Sequence, residues 1–283
     1  MVTSITVLPL IRLENMDNIN FVSGGLLGDF LQQLYTVKNI CEQREVKANL
    51  YIADGYGDKW TFGVETAYRD LAELIYSQNY INSFQILTKP VDESFINLSS
   101  WREAAATDFA TTGEYNTCWS ELLSKQFNFH IPTSYRWITA PATNEEVKGR
   151  ILIHRSTHRH GGLPWKELLS KLNEEVLFLT CNPAEINAFK SSWFFENFDT
   201  NKIKLYLVNN IYEMAIALNS CRYFIGNQSA PFSLASALDV PRMVELESGV
   251  WKFYKDEIKY SKNISWHLSE KEKYLANNSI IKL

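Results

Sequence analysis

Four cysteines in 283 residues, Cys41, Cys118, Cys181 and Cys221, stand far apart and form no CxxC pair. That spacing speaks against a disulfide framework and against a structural zinc site, and free buried thiols are the expectation. Basic excess is also lacking. A net charge of -4 argues against a general attraction to nucleic acid or anionic lipid, so any anion site must be built locally. No apolar run approaches the roughly 20 residues of a membrane-spanning helix. No N-terminal stretch combines a basic end, an apolar core and a small-residue cleavage site. A soluble cytoplasmic protein is expected, with peripheral membrane contact left open. Neither GxGxxG nor GxxxxGK[ST] occurs, which weakens the dinucleotide and P-loop readings.

What is present is core-forming material, 46% hydrophobic and 13% aromatic residues, arranged as alternating strands and helices. "INFVS" (19 to 23) reads as a strand and "GGLLGD" as a glycine-rich turn. Leu27, Phe30, Leu31, Leu34, Val37 and Ile40 then recur at helical spacing. "ANLYIAD" is the next strand, a helix is expected from about 62 to 79, "SFQILTK" follows, 90 to 114 reads as looser chain, and another helix spans about 116 to 127. Pro132, Pro141 and a polar run between 130 and 149 look like an interdomain linker. Beyond it, "RILIHR", "EEVLFLT", "IKLYLV", "RYFIG" and "VPRMVEL" are strands separated by helices near 164 to 172, 183 to 190 and 210 to 218, with "FSLASAL" a further helix. Such alternation predicts two Rossmann-like domains, 1–143 and 144–283, whose parallel sheets face a central cleft. The tail from about 250 reads as helical and is expected to pack back on the first domain.

Ligands of such sheets bind outside the carboxyl ends of the strands, where helix N-termini present unpaired N–H groups. Three segments fall there. In "IGNQSAPF", Ser229 and Pro231 suit the start of a helix, while the amides of Asn227 and Gln228 could donate to phosphate oxygens. In "ILIHRSTHRHGG", His154, Arg155, Ser156, Thr157, His158, Arg159 and His160 crowd one strand end; guanidinium forks and hydroxyls suit a diphosphate, and a solvated basic loop is the plainer reading. His158-x-His160 has no third ligand at telling spacing, so no metal site is assigned. In "GGLLGDF", Gly24, Gly25 and Gly28 shape the turn. Asp29 either complements the helix dipole or is a general base at the cleft.

"NINFVSGGLLGDFLQQLYTVKNI" resembles the N-terminal signature of the heptosyltransferase-like glycosyltransferases, glycosyltransferase family 9, and "CRYFIGNQSAPFSLASALDVPRMVE" is similar to their C-terminal signature. "RILIHRST" and "FLTCNPAE" look like the nucleotide-domain strand ends between them. The resemblance implies the GT-B fold and inverting transfer of a sugar from a nucleotide sugar to a glycan or glycoconjugate hydroxyl, without a metal or other cofactor. It implies that Asp29 is the base, that Arg155, Ser156 and Thr157 approach the phosphates, that Glu185 lies near the ribose, and that Gln228, Ser229 and Ala230 lie at the diphosphate. The pattern departs at Gln228, where an acidic residue is usual, and at Ser233, where a histidine is usual, so no donor sugar is assigned. The same architecture also suits a nucleotide-sugar epimerase or a non-catalytic nucleotide- or glycan-binding module. Glu185 equally reads as the acidic first turn of a helix opened by Asn182-Pro183. The aromatic runs at 191–198 and 249–260 read as packing.

Overall fold

In the computed structural model, residues 18–112, 119–130, 136–157, 163–192, 195–245 and 264–266 are described. The first half builds a four-stranded parallel sheet from β1 (Asn18–Ser23), β2 (Lys47–Ile52), β3 (Ile81–Ile86) and β4 (Phe95–Asn97), ordered β3-β2-β1-β4. Helices α1 (Leu27–Arg44) and α2 (Val64–Tyr76) cross between consecutive strands. The chain then turns back past β1 to lay down β4, so strand order reverses between β1 and β4. Most of the segment expected to be loose, Phe95 to Thr112, is therefore regular structure. Beyond β4 a 3-10 turn (Leu98–Ser100) leads directly into α3 (Trp101–Thr112), and α4 (Trp119–Phe127) follows. A three-residue strand is too short to alternate visibly, and "WREAAATDFATT" has no apolar stripe of helical period.

The second half is a six-stranded parallel sheet of β5 (Ile151–His154), β6 (Val176–Thr180), β7 (Ile203–Leu207), β8 (Tyr223–Asn227), β9 (Arg242–Glu245) and β10 (Ile264–Trp266), ordered β10-β9-β8-β5-β6-β7. Helices α5 (Trp165–Ser170), α6 (Pro183–Lys190), α7 (Ile211–Ser220) and α8 (Ala230–Ala237) connect the strands. Its reversal falls between β5 and β8. These two strands are buried along their whole length, as continuous apolar runs covered on both faces should be. Of the tail expected to be helical, the three described residues are strand, paired to β9; the rest, including its packing and the aromatic run at 249–260, lies outside the described residues.

Helix α1 organises the molecule. Phe30, Leu31, Leu34, Val37 and Ile40 are buried, and so are Gln32, Gln33, Thr36 and Asn39 on its other sides. Amphipathic spacing predicts one buried stripe, yet from Phe30 to Val37 this helix is buried at every position. One apolar core accordingly runs from Phe21, Phe30 and Phe84 of the first half through α1, α7 and α8 to Leu152, Phe224 and Val244 of the second sheet. Each Phe removed from water there contributes about 1.5–3 kcal/mol. A second core, Trp165, Phe178, Phe189 and Phe195 among others, fills the opposite face of that sheet. In the run at 191–198, Phe195 is buried and stacks on Phe198 at 5.3 Å, which puts these two in packing; Trp193 and Phe194 lie outside the described residues.

Within the segment read as a linker, the described residues from 136 on are anchored by a few buried side chains, while most of 139–149 is exposed. Trp137 and Ile138 are fully enclosed, and both of their backbone N–H groups donate to the Ala237 carbonyl at the end of α8. Trp137 Nε1 donates to the Leu31 carbonyl of α1 (2.7 Å), and Tyr80 Oη donates to the Trp137 carbonyl (2.9 Å). Arg136 and Asn144 reach Asn219 and Tyr206 of the second half. The described part of the segment belongs to no strand and is held by single hydrogen bonds from Arg136, Trp137, Ile138, Thr139 and Asn144; Pro132 lies outside the described residues.

The described thiols fit only partly. Cys41 is buried, Cys221 is partly buried and Cys181 is exposed. Burial pushes Cys41 and Cys221 up to about 12.

Candidate active site

Each sheet reverses its strand order at one point, and that point is where ligands of doubly wound sheets bind. At the first reversal, Ser23 ends β1 and the chain turns through Gly24, Gly25 and Leu26, whose φ of 65° is left-handed. Glycine is required twice for contact. A Cβ on Gly24 would stand 1.9 Å from the Tyr56 carbonyl oxygen, and one on Gly25 would stand 2.2 Å from the Lys59 carbonyl carbon. The loop after β2 is thus stacked on this turn, and the two glycines serve that stacking. Gly25→Ala is expected to destabilise the fold by about 1–3 kcal/mol, the usual range for overpacking, which a denaturant midpoint measures; an unchanged midpoint would mean that the 54–60 loop moves away freely. The Gly24 N–H donates to Ser99 Oγ (3.3 Å), which ties the turn to the chain beyond β4.

Asp29 lies in the first turn of α1, as the spacing predicts, with its side chain 24% exposed. Arg102 of α3 meets it at 2.8 Å and meets Asp58 of the 54–60 loop at 3.3 Å. Nothing local in the sequence marks Arg102, which stands 73 positions after its partner. Next to Asp29, a Cβ on Gly28 would lie 3.3 Å from Ser233 Oγ and 3.5 Å from the Ala230 nitrogen. The first turns of α1 and α8 therefore touch, and the two reversal points adjoin.

At the second reversal Asn227 is fully buried. Its Oδ1 accepts from the Ser156 N–H (3.1 Å), and its Nδ2 donates to Ser156 Oγ (3.0 Å) and, at 3.4 Å, to the Ser156 carbonyl. The expectation that this amide donates to phosphate needs correcting: it locks the 155–157 loop to the end of β8. Arg155 forks onto Glu245, with Nε 2.9 Å from Oε2 and Nη2 3.3 Å from Oε1. Glu245 is fully buried and also accepts from Trp165 Nε1 (3.1 Å) and the Leu163 N–H (3.2 Å). The Arg155 fork is thus turned toward the protein.

Gln228, Ser229 and Ala230 are half-buried where β8 passes into α8, and Thr157 is exposed. Ser229 occupies the cap position without a side-chain cap bond; its Oγ donates to the Asn227 carbonyl instead (3.0 Å). At the other end of α8, the buried Arg242 donates to the Val240 carbonyl (2.8 Å) and Ser236 Oγ (3.0 Å), a cation placed where the helix dipole favours one.

His154, expected in a loop at the cleft, is the last residue of β5 and is buried, with Nδ1–H donating to the Leu179 carbonyl (2.9 Å). Burial lowers its pKa, opposed by the Glu185 carboxylate and the Leu179 carbonyl. It is a core histidine. Glu185 lies in the first turn of α6, accepts from Thr180 Oγ1, and follows an Asn182 cap that accepts from the Ala184 N–H (3.0 Å). His158 lies outside the described residues, as do Arg159 and His160. Among the described residues no group of three or more His, Cys, Asp or Glu side chains is arranged to hold a metal ion, and no helix is long and apolar enough to cross a membrane.

No protein-family model and no curated protein matches the sequence. Solved structures do match in fold. The heptosyltransferase WaaC of E. coli, solved with ADP-2-deoxy-2-fluoro heptose, aligns over 93% of this chain and all of its own, with TM-score 0.52 and 11% identity. The glycosyl transferase family 9 protein of Veillonella parvula aligns over 94% of this chain and 90% of its own, with TM-score 0.56 and 11% identity. TibC, an iron-containing dodecameric glycosyltransferase of enterotoxigenic E. coli, aligns over 82% and 59%, with TM-score 0.53 and 15% identity. The fold is the GT-B fold of the heptosyltransferases. At these identities the likeness is one of architecture, and chain-specific features carry the functional reading. In this GT-B frame Asp29 opens the first helix of the first sheet, and Gln228-Ser229-Ala230 open the helix after β8.

Proposed function

We propose that this protein is a glycosyltransferase that moves a sugar from a nucleotide-sugar donor to a glycan or other hydroxyl acceptor, inverting the anomeric centre and using no metal. The observation that carries the reading is the contact of the two first turns. Asp29 opens α1 at one reversal point, and one residue away Gly28 packs against Ala230 and Ser233 of α8 at the other. A sugar held between them would have a carboxylate on one side and a helix N-terminus on the other. Asp29 takes the proton of the acceptor hydroxyl as its oxygen attacks the anomeric carbon. The bond to the diphosphate breaks, and the charge growing on that leaving group is met by the first-turn N–H groups of α8, together with Ser156, Thr157, Gln228 and Ser229. Arg155, held on Glu245, fixes the loop that carries Ser156 and Thr157. Glu185, held by Thr180, is offered to the ribose hydroxyls.

The ion pair of Asp29 favours one other reading, a nucleotide-binding module in which that carboxylate is structural. A thermal-shift panel of nucleoside diphosphates and nucleotide sugars, with and without EDTA, followed by assay of nucleoside diphosphate release, separates the two. At 100 times Kd a ligand bound only by the native state adds about 2.7 kcal/mol, a shift of about 5–10 °C at this chain length. The transferase reading expects one nucleotide family to give that shift regardless of EDTA and its sugar to be consumed. Shift without consumption favours the binding module, and no shift with any nucleotide overturns both.

A further inference from the structure

The geometry points to Arg102 as the positioning residue for Asp29, with Asp58 as the second claimant on its guanidinium; the inference rests on the reading of Asp29 as base. Arg102 Nη2 lies 2.8 Å from Asp29 Oδ2, 3.3 Å from Asp58 Oδ2 and 3.5 Å from the Gly25 carbonyl oxygen. Three acceptors converge on a nitrogen that carries two hydrogens. The guanidinium rests over the Trp101 ring, its carbon 4.8 Å from the centroid, while its Nε is buried with no hydrogen-bond partner among the described residues. A flat cation held by its face and one nitrogen can exchange acceptors without leaving its seat.

The loop that brings Asp58 is shaped for this approach. Gly57 has φ +104°, and a Cβ there would stand 2.8 Å from Ser99 Oγ and 3.2 Å from Arg102 Nε. Only glycine allows the loop to lie that close to α3. Charge matters as much as distance: one guanidinium serves two carboxylates, so Asp29 and Asp58 share the positive charge of Arg102. When Asp29 receives the acceptor's proton, its hold on Arg102 weakens and Asp58 takes the guanidinium. When the proton leaves, the pair with Asp29 reforms.

Among the described residues, the charged groups around Asp29 are Arg102 from α3 and Asp58, with its neighbour Lys59, from the loop after β2. The first turn of α8, which packs against Gly28, brings no charged side chain.

The test needs no substrate. Protein labelled with 13C at the aspartate carboxyl carbon is titrated by NMR, with the Asp29 signal assigned by its loss in Asp29→Asn. Arg102→Gln is expected to raise the Asp29 midpoint by about 1–3 units, the span that an adjacent arginine commands. Arg102→Lys should raise it less, and Asp58→Asn should lower it by removing a like charge and releasing the guanidinium. Midpoints that stay within a few tenths of wild type in folded Arg102→Lys and Asp58→Asn overturn the inference, even if Arg102→Gln fails to fold. Turnover of the nucleotide sugar with the largest thermal shift gives a second readout: kcat down roughly 100-fold in Arg102→Gln, as misplaced catalytic groups show, with donor KM unchanged and partial recovery in Arg102→Lys. If Asp29→Asn turns over normally, the base reading itself has failed. If Asp29→Asn is inactive while the Arg102 and Asp58 variants titrate as wild type, only the positioning role has failed.

Discussion

Asp29→Asn is expected to lower turnover by about 10²–10⁴-fold, the range a positioned general base supplies, while leaving the nucleotide-induced thermal shift at its wild-type size. Asparagine keeps the shape and an oxygen that can still accept from Arg102, so the turn at Gly24-Gly25 need not rearrange. The carboxylate is 24% exposed, and Arg102 retains Asp58 at 3.3 Å; loss of a half-solvated pair of this kind changes stability by about 1 kcal/mol or less. What asparagine cannot do is take a proton. The donor's diphosphate is assigned to the loops of the second sheet, so its binding should be insensitive to the substitution, and kcat should fall without a matching rise in donor KM. The measurement is release of nucleoside diphosphate alongside the melting temperature with saturating nucleotide. Wild-type turnover in the variant would move the base elsewhere in the site, and an intact rate with a lost thermal shift would invert the assignment of the two halves.

The architecture was legible because parallel sheets write themselves plainly. "VLFLT" and "YFIG" are buried at every position, and a run of that kind between amphipathic helices admits few other placements. The turn at Gly24 and the helix opened by Ala230 were legible too, since glycine and proline mark backbone geometry directly. Side-chain partners were not. Arg102 and Asp29 are 73 positions apart, Arg155 and Glu245 are 90 apart, and no local period reports a contact made only after the sheet has formed. The side-chain directions of Asn227 and His154 are hidden from the sequence for a related reason: at a strand's last residue, a polar group can turn into the loop cluster or into the sheet, and only the packed neighbours decide which. Here His154 lies opposite Gly226 and Asn227 opposite Glu245. Glu245 follows "RMV" in a buried strand, and a carboxylate in such a run needs donors of its own, which directs attention to an arginine and an indole elsewhere in the chain.

That buried carboxylate carries the other large effect. Glu245→Ala is expected to cost about 3–5 kcal/mol, the range for breaking a buried ion pair by removing one partner, and to lower the melting temperature by about 10 °C at the few degrees per kcal/mol usual for chains of this length. Four donor groups lose their acceptor together: two N–H groups of Arg155, Trp165 Nε1 and the Leu163 N–H. Arg155 would be left 12% exposed without its fork. The loop after β5 is held to the sheet by this fork and by Asn227, so the nucleotide-induced shift should shrink in the same variant, which a purely structural ion pair remote from the ligand would not produce. A double variant, Arg155→Met with Glu245→Leu, separates charge from hydrogen bonding. Replacing both ions by apolar residues often recovers most of the loss, but Trp165 Nε1 and the Leu163 N–H stay unsatisfied, at about 1–3 kcal/mol for each buried group. The double variant should therefore lie between Glu245→Ala and wild type in a denaturant melt. A Glu245→Ala protein as stable as wild type would mean that the carboxylate is not the anchor of this loop, and a destabilised variant with an undiminished nucleotide shift would remove the 155–157 loop from the donor site.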